Sequence, residues 1–270
     1  MEGIIRSQQL HASHASYLND ATELTYARSV IQDVLREEPV RGRGEASRRF
    51  LRDWQTLLDS TPTESDVWVV CFCTEEDLLS QWRGYAGSSG GYAVGFYTPS
   101  WLEGSTTPVV LRKIIYDREQ QEDCIRSLIR PIIRQLDELE SDAGLKTAVA
   151  SVPGSLDLCQ EAESECLFCF KHPKFKEEDE WRIVYSAGSA AGAADMPSRH
   201  FRTRGSLIIP YVELILPSSH ASYTGRLPIF CVMIGPSAHP ELATKSVVML
   251  LHEHGYSDPN VLSSDIPLRP

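Results

Sequence analysis

Two hydrophobic patterns alternate along the chain. Some stretches place apolar residues three and four apart, as one helix face requires; others are short unbroken apolar runs of strand length. The opening Gly3–His11 predicts the end of a short helix running into a strand around Leu10–Ser13. Leu24, Ala27, Ile31, Val34 and Leu35 predict a helix that starts behind Asn19-Asp20, with Asp20 as cap and Glu23 at the reciprocal capping-box position. Phe50, Leu51, Trp54, Leu57 and Leu58 predict a second helix over Ala46–Leu58, after a polar loop at Glu37–Glu45. Asp66–Cys73 is continuously apolar and predicts a central strand covered on both faces. Thr74 is then expected to cap a helix carrying Leu78, Leu79, Trp82 and Tyr85.

Strands are predicted at Tyr92–Tyr97 and about Val109–Tyr116. The longest helix follows, carrying Ile125, Leu128, Ile129, Ile132, Ile133, Leu136 and Leu139. A further helix is expected over Leu156–Phe170, strands over Leu207–Leu216 and Leu227–Ile234, a helix over Pro240–Gly255 and a short strand near Val261–Ser264. Helices and strands alternate without a Gly-rich phosphate fingerprint, and no linker divides two composition types. The expected architecture is α+β: a single domain over 1–270, with a mixed or antiparallel sheet flanked by helices. A low-complexity, mobile loop is expected near 186–198.

One segment changes this picture from architecture to chemistry. In Phe175-Lys-Glu-Glu-Asp-Glu-Trp-Arg-Ile-Val-Tyr185, Glu178, Glu180 and Arg182 fall at every second position. As a strand, that period gathers two carboxylates and a guanidinium on one face, with Trp181, Ile183 and Tyr185 on the core side. Such a face can hold a polar or cationic ligand. It is also what a solvated row of ion pairs looks like.

Composition narrows the remaining choices. The chain has 26 Lys and Arg against 37 Asp and Glu, a net charge of −11 that argues against a broad grip on nucleic-acid phosphates. Basic residues cluster at Arg41–Arg52 and at Arg199, His200, Arg202 and Arg204, each expected to be solvated surface. No stretch approaches the roughly 20 apolar residues of a membrane span. The start lacks a secretory signal, and seven cysteines without framework spacing suit reduced thiols, so a cytoplasmic location is expected. Cys71 and Cys73 are expected in the core. Cys166, Cys169 and His172 have metal-like spacing but no second ligand pair, so no metal is expected.

Four segments in order resemble the domain of unknown function 2971 family, DUF2971. They are Leu10-His-Ala-Ser with Tyr17–Glu23; Cys71–Thr74 through Gln81-Trp-Arg-Gly-Tyr85 to Gly91–Phe96; Phe170–Ile183; and Pro210–Leu214 with Ile234-Gly-Pro236 and Ser264–Arg269. The resemblance implies a bacterial protein. It also implies an opening strand that this chain lacks, since Met1 falls inside the first helix; the expectation is an upstream start or a lost strand.

The family layout is in turn remotely similar to the ADP-ribosyltransferase fold, in which a late strand bears Glu-x-Glu. That similarity implies NAD as substrate, Glu180 as the carboxylate stabilising an oxocarbenium-like transition state and Glu178 as the group positioning the acceptor. Trp82 or Tyr85 would stack on a ring. The other reading is a non-catalytic binding or sensor module. In it Asn19, Asp20, Glu23, Glu178, Glu180 and Arg182 line a polar pocket beneath Trp82 and Tyr85 for a small molecule or nucleotide. Against both stand structural readings: Trp82 as core, Asn19-Asp20 as a cap and Arg269 as an anchor for the terminus.

Overall fold

The computed structural model describes residues 1–18, 23–38, 42–60, 67–86, 90–97, 109–186, 197–215, 226–257 and 259–267, with backbone alone over 160–165. In chain order the elements begin with α1 (Glu2–Ser7), β1 (Leu10–His14), α2 (Glu23–Glu37), α3 (Glu45–Ser60), β2 (Val67–Cys73) and α4 (Leu79–Gln81). There follow β3 (Tyr92–Phe96), β4 (Val109–Lys113), α5 (Arg118–Ala143), α6 (Leu145–Leu167) and β5 (Glu180–Ser186). The chain closes with β6 (Arg199–Arg204), β7 (Leu207–Leu214), β8 (Ile229–Ile234), α7 (Pro240–Glu253) and β9 (Asn260–Ser263). The fold class is α+β. The chain forms two compact units: Met1–Tyr17 with Asp66–Leu111 and Glu178–Pro270, and Leu18–Ser65 with Arg112–Glu177. Each unit draws on separated stretches of sequence, which explains why no linker marks a boundary.

The first unit is built on a six-stranded sheet of order β4-β5-β2-β1-β7-β6 and a three-stranded sheet of order β3-β8-β9. Pairings β1–β2, β1–β7, β2–β5 and β6–β7 are antiparallel, whereas β8–β9 is parallel, so the second sheet is mixed. One core joins both sheets to the helices α1 and α7. Leu10, Ala12, Trp68, Ile183, Tyr185, Val212 and Leu214 meet Ile229, Val232 and Ile234, with Ile5, Val247 and Leu251 from the helices. These positions alternate along each strand of the large sheet, so the intervening residues form its second face.

The second unit is helical. Val30, Ile31 and Val34 of α2, Phe50, Trp54 and Leu58 of α3, Ile125, Ile129 and Leu136 of α5 and Ala148, Val152 and Cys159 of α6 share one core. Cys166 and Cys169 are buried in it as small apolar residues. Fully buried Gln121 satisfies its polar atoms by donating to the carbonyls of Ile115 (2.6 Å) and Lys171 (3.0 Å) and accepting from the Tyr26 hydroxyl (2.9 Å). It thereby ties three separate stretches together.

Several expectations are corrected. The segment predicted as one helix from Thr74 is instead a loop, the single turn α4, and a π-type turn over Trp82–Ala86. Thr74 caps nothing; its hydroxyl donates to the Asp179 carboxylate. Helix α6 begins at Leu145 rather than Leu156, running through Pro153. Strand β2 is buried in its first half only, and Cys71 and Cys73 are exposed rather than core. Arg199–Arg204 is largely exposed, as expected, but it is extended as the edge strand β6. Asn19, Asp20, Arg269 and the loop over 187–196 lie outside the described residues.

Helix α3 has an unusual cap, supplied by another helix. Asp137 of α5 accepts from the Gly44 amide at 3.0 Å and from the Ser47 hydroxyl at 2.5 Å, while Glu140 accepts from the Ala46 amide at 2.9 Å. Carboxylates at a helix N-terminus satisfy orphan amides and complement the dipole. Asp137→Ala is therefore expected to lower stability by about 1–3 kcal/mol. Urea unfolding would check it, and an unchanged midpoint would contradict the cap.

Candidate functional site

The acidic segment folds differently on either side of Asp179. Pro173–Glu178 is a 3-10 turn, and Asp179 adopts φ of 37°, a left-handed conformation that Asp tolerates better than most residues. Strand β5 begins only at Glu180. The sequence therefore carried the alternation one step too far: Glu178 is not on the strand. Glu180 and Arg182 are, and they share the second face of the sheet.

Neither is solvated. Glu180 is 5% exposed and Arg182 1%, among the largest fully buried side chains described. The guanidinium closes on the carboxylate through two bonds, Nε to Oε1 at 2.6 Å and a terminal nitrogen to Oε2 at 2.9 Å. This fork-to-fork geometry satisfies both carboxylate oxygens at once. The solvated-stripe reading is thereby excluded for these two residues.

The register places their neighbours. Cys73 pairs with Glu180 and Cys71 with Arg182 across β2 and β5, so both thiols share the second face with the ion pair. Loss of hydration, then the carboxylates of Glu178, Glu180 and Glu75, push the Cys73 thiol above its ordinary pKa. Glu178 has thus left the strand but still acts electrostatically beside it. The Cys73 thiol donates to the Glu75 carbonyl at 3.1 Å.

The remaining predicted residues scatter. Trp82 is 5% exposed, its indole N–H donating to Asp77 at 2.6 Å and its ring lying where a side chain at Gly235 would collide. It is part of the wall. Tyr85, 53% exposed, lies under the Arg204 guanidinium, 5.9 Å from its ring centre. Arg204 sits at the tip of the β6–β7 hairpin, at the opposite end of the large sheet from Glu180 by register. Glu23 opens α2 in the helical unit and is 2% exposed. A cleft of about 340 Å³ in the first unit, walled by Tyr97, Arg226, Phe230 and Tyr256, contains none of the predicted residues.

Sequence reasoning missed a second group on the same sheet face, formed by His11, Ser13, His200, Arg202, Tyr211 and Glu213. The signal was present as polar residues at every second position of Leu10–His14, Arg199–Arg204 and Pro210–Glu213. It went unread because the basic stretch looked like solvated surface.

Residues 81–183 match the family described as Protein of unknown function (DUF2971). The similarity covers less than half of the chain. The matched segment runs from Gln81, at the edge of the π-type turn, to Ile183, so it ends on the Glu180–Arg182 pair. It takes in part of the second and all of the third of the four segments on which the DUF2971 resemblance was read; the first and last lie outside it. No curated protein and no solved structure matches the chain, and nothing in these comparisons supports the likeness to ADP-ribosyltransferases. Among the described residues, no helix is long and apolar enough to cross a membrane, and no cluster of His, Cys, Asp and Glu has the form of a metal site.

The charge geometry around Cys73 is directly measurable. At pH 8 its alkylation by iodoacetamide is expected to be slower than that of free cysteine, because less thiolate is present. Glu178→Gln is expected to speed it. Equal rates in wild type and variant, read by mass spectrometry, would mean that Glu178 does not face the sulfur.

Proposed function

We propose that the protein is a ligand-binding or sensor module for a small molecule or nucleotide, and that Glu180 does not act as a catalytic carboxylate. The observation that carries this reading is the closed Glu180–Arg182 pair. A carboxylate assists an oxocarbenium-like transition state by facing the developing positive charge with its own charge uncompensated. Here both oxygens already accept from a guanidinium less than 3 Å away, which cancels much of that field. Freeing Glu180 would strand Arg182 in a buried site, an expensive step that the transferase reading requires and the binding reading does not. The buried pair braces the sheet, and exposed Tyr85, under Arg204 at the far end of that sheet, suits a stacking platform.

NAD belongs among the candidate ligands on either reading, which makes it the useful probe. A thermal-melt panel of NAD, ADP-ribose, AMP and adenosine is expected to give at least one ligand that raises Tm with concentration, by about 2.7 kcal/mol at one hundred times its Kd. Chromatography is expected to recover that ligand unchanged, with no nicotinamide beyond the protein-free control. Nicotinamide release that disappears in Glu180→Gln would overturn the proposal. So would a flat response to every ligand in the panel.

A further inference from the structure

The large sheet carries a second polar cluster, centred on one tyrosine and drawn from three strands. Register places Ser13 of β1 and His200 of β6 on either side of Tyr211 of β7, all on the face that also bears Glu180. His11 stacks on the phenol ring at 4.7 Å between centroids, and His200 lies tilted against it at 5.4 Å. The Arg202 guanidinium stands 5.3 Å from the same ring centre and donates to the Ser13 hydroxyl at 2.5 Å. A single phenol thus has two imidazoles and a guanidinium gathered around it.

Against these three groups, the cluster itself contributes one carboxylate, Glu213, whose Oε1 is 3.4 Å from His11 Nε2. The contact is close enough for an ion pair, yet Nε2 makes no hydrogen bond and is shut off from solvent. Burial is felt by the groups themselves. Burial first, and then Arg202, the amino group of Met1 and His200 working against Glu213, hold His11 below its ordinary pKa. Burial, with Arg204 adding to it, likewise lowers Arg202. A partly desolvated guanidinium and a buried imidazole nitrogen without a hydrogen bond both gain from the oxygens of a bound anion, and an arginine with a flanking hydroxyl is suited to phosphate oxygens.

We infer that Arg202, His200, His11 and Ser13, arrayed around Tyr211, form a binding site for a phosphate group. Arg202 supplies the forked donor, the Ser13 hydroxyl turns from accepting to donating, and the imidazoles complete the shell from β1 and β6. The Tyr211 ring holds the two imidazoles apart and fixes their angle. The phosphate is that of a nucleotide or free inorganic phosphate, since both present the same oxygens. This site owes nothing to Glu180, so it stands or falls separately from the reading above.

Calorimetric titration of the full chain with inorganic phosphate, ADP and adenosine tests it. Phosphate and ADP are expected to bind wild type and to compete with one another, while adenosine leaves phosphate binding unchanged. Arg202→Gln is expected to weaken both by roughly tenfold or more, the loss of a charge-assisted bond. ADP binding far more tightly than phosphate assigns the site to a nucleotide, and equal affinities assign it to the free ion. No binding of either at millimolar concentration overturns the site, as does unchanged affinity in Arg202→Gln. If Arg202→Gln does not fold, His200→Gln takes its place, and unchanged phosphate affinity in that variant overturns the site equally. A nucleoside that stabilises the protein while phosphate does not would sink this inference and leave the binding-module proposal intact.

Discussion

Two opposite charges sealed from water, two residues apart on one strand, set the terms for this sheet. Glu180 and Arg182 are each more than nine-tenths buried. Moving either ion alone out of water costs several kcal/mol, and their mutual contact with good geometry offsets much of it. The fork arrangement supplies that geometry. It demands that β5 start at residue 180 and not earlier, and the left-handed Asp179 and the 3-10 turn before it meet that demand. The Thr74–Asp179 bond secures the same corner from the end of β2.

The consequence for function follows from the same physics. A pair that satisfies itself has little left for a substrate, so chemistry at Glu180 and stability at Glu180 are in competition. The stretch that matches the DUF2971 family ends on this pair, so the constraint lies within the part of the chain that the match covers. The other half of the sheet face has a different character: a guanidinium and two imidazoles surround Tyr211, with one carboxylate, Glu213, beside them. One face therefore carries an end closed by an ion pair and an end with a buried imidazole nitrogen that makes no hydrogen bond, and ligand recognition fits the second.

The elements that could be read in advance were those whose hydrophobic period runs uninterrupted. Helices α2, α3 and α5 bury most of the predicted residues, with Leu24, Leu57, Leu128 and Leu139 half-buried, and β7 and β8 lie where their apolar runs placed them. Reading failed where local signals were mixed. Pro153 and the small residues around it concealed the first half of α6, because a proline there usually ends a helix. The basic alternation of β6 resembled surface, because its strand character comes from pairing with β7 and not from its own composition. Alternation did place Glu180 and Arg182 on one face, but whether that face is wet depends on what covers it, which periodicity does not encode. Glu178 was misplaced because one residue of positive φ ends an extended run invisibly. The site residues that went unread were legible only as a set, once three strands lay side by side.

The most direct measurement is a double-mutant cycle on the buried pair, by urea unfolding of Glu180→Gln, Arg182→Met and the double variant. Each single change is expected to lose about 3–5 kcal/mol by leaving its partner stranded, and the double variant to lose far less than the sum. Additive losses, or a Glu180→Gln protein as stable as wild type, would show that the two charges do not depend on each other.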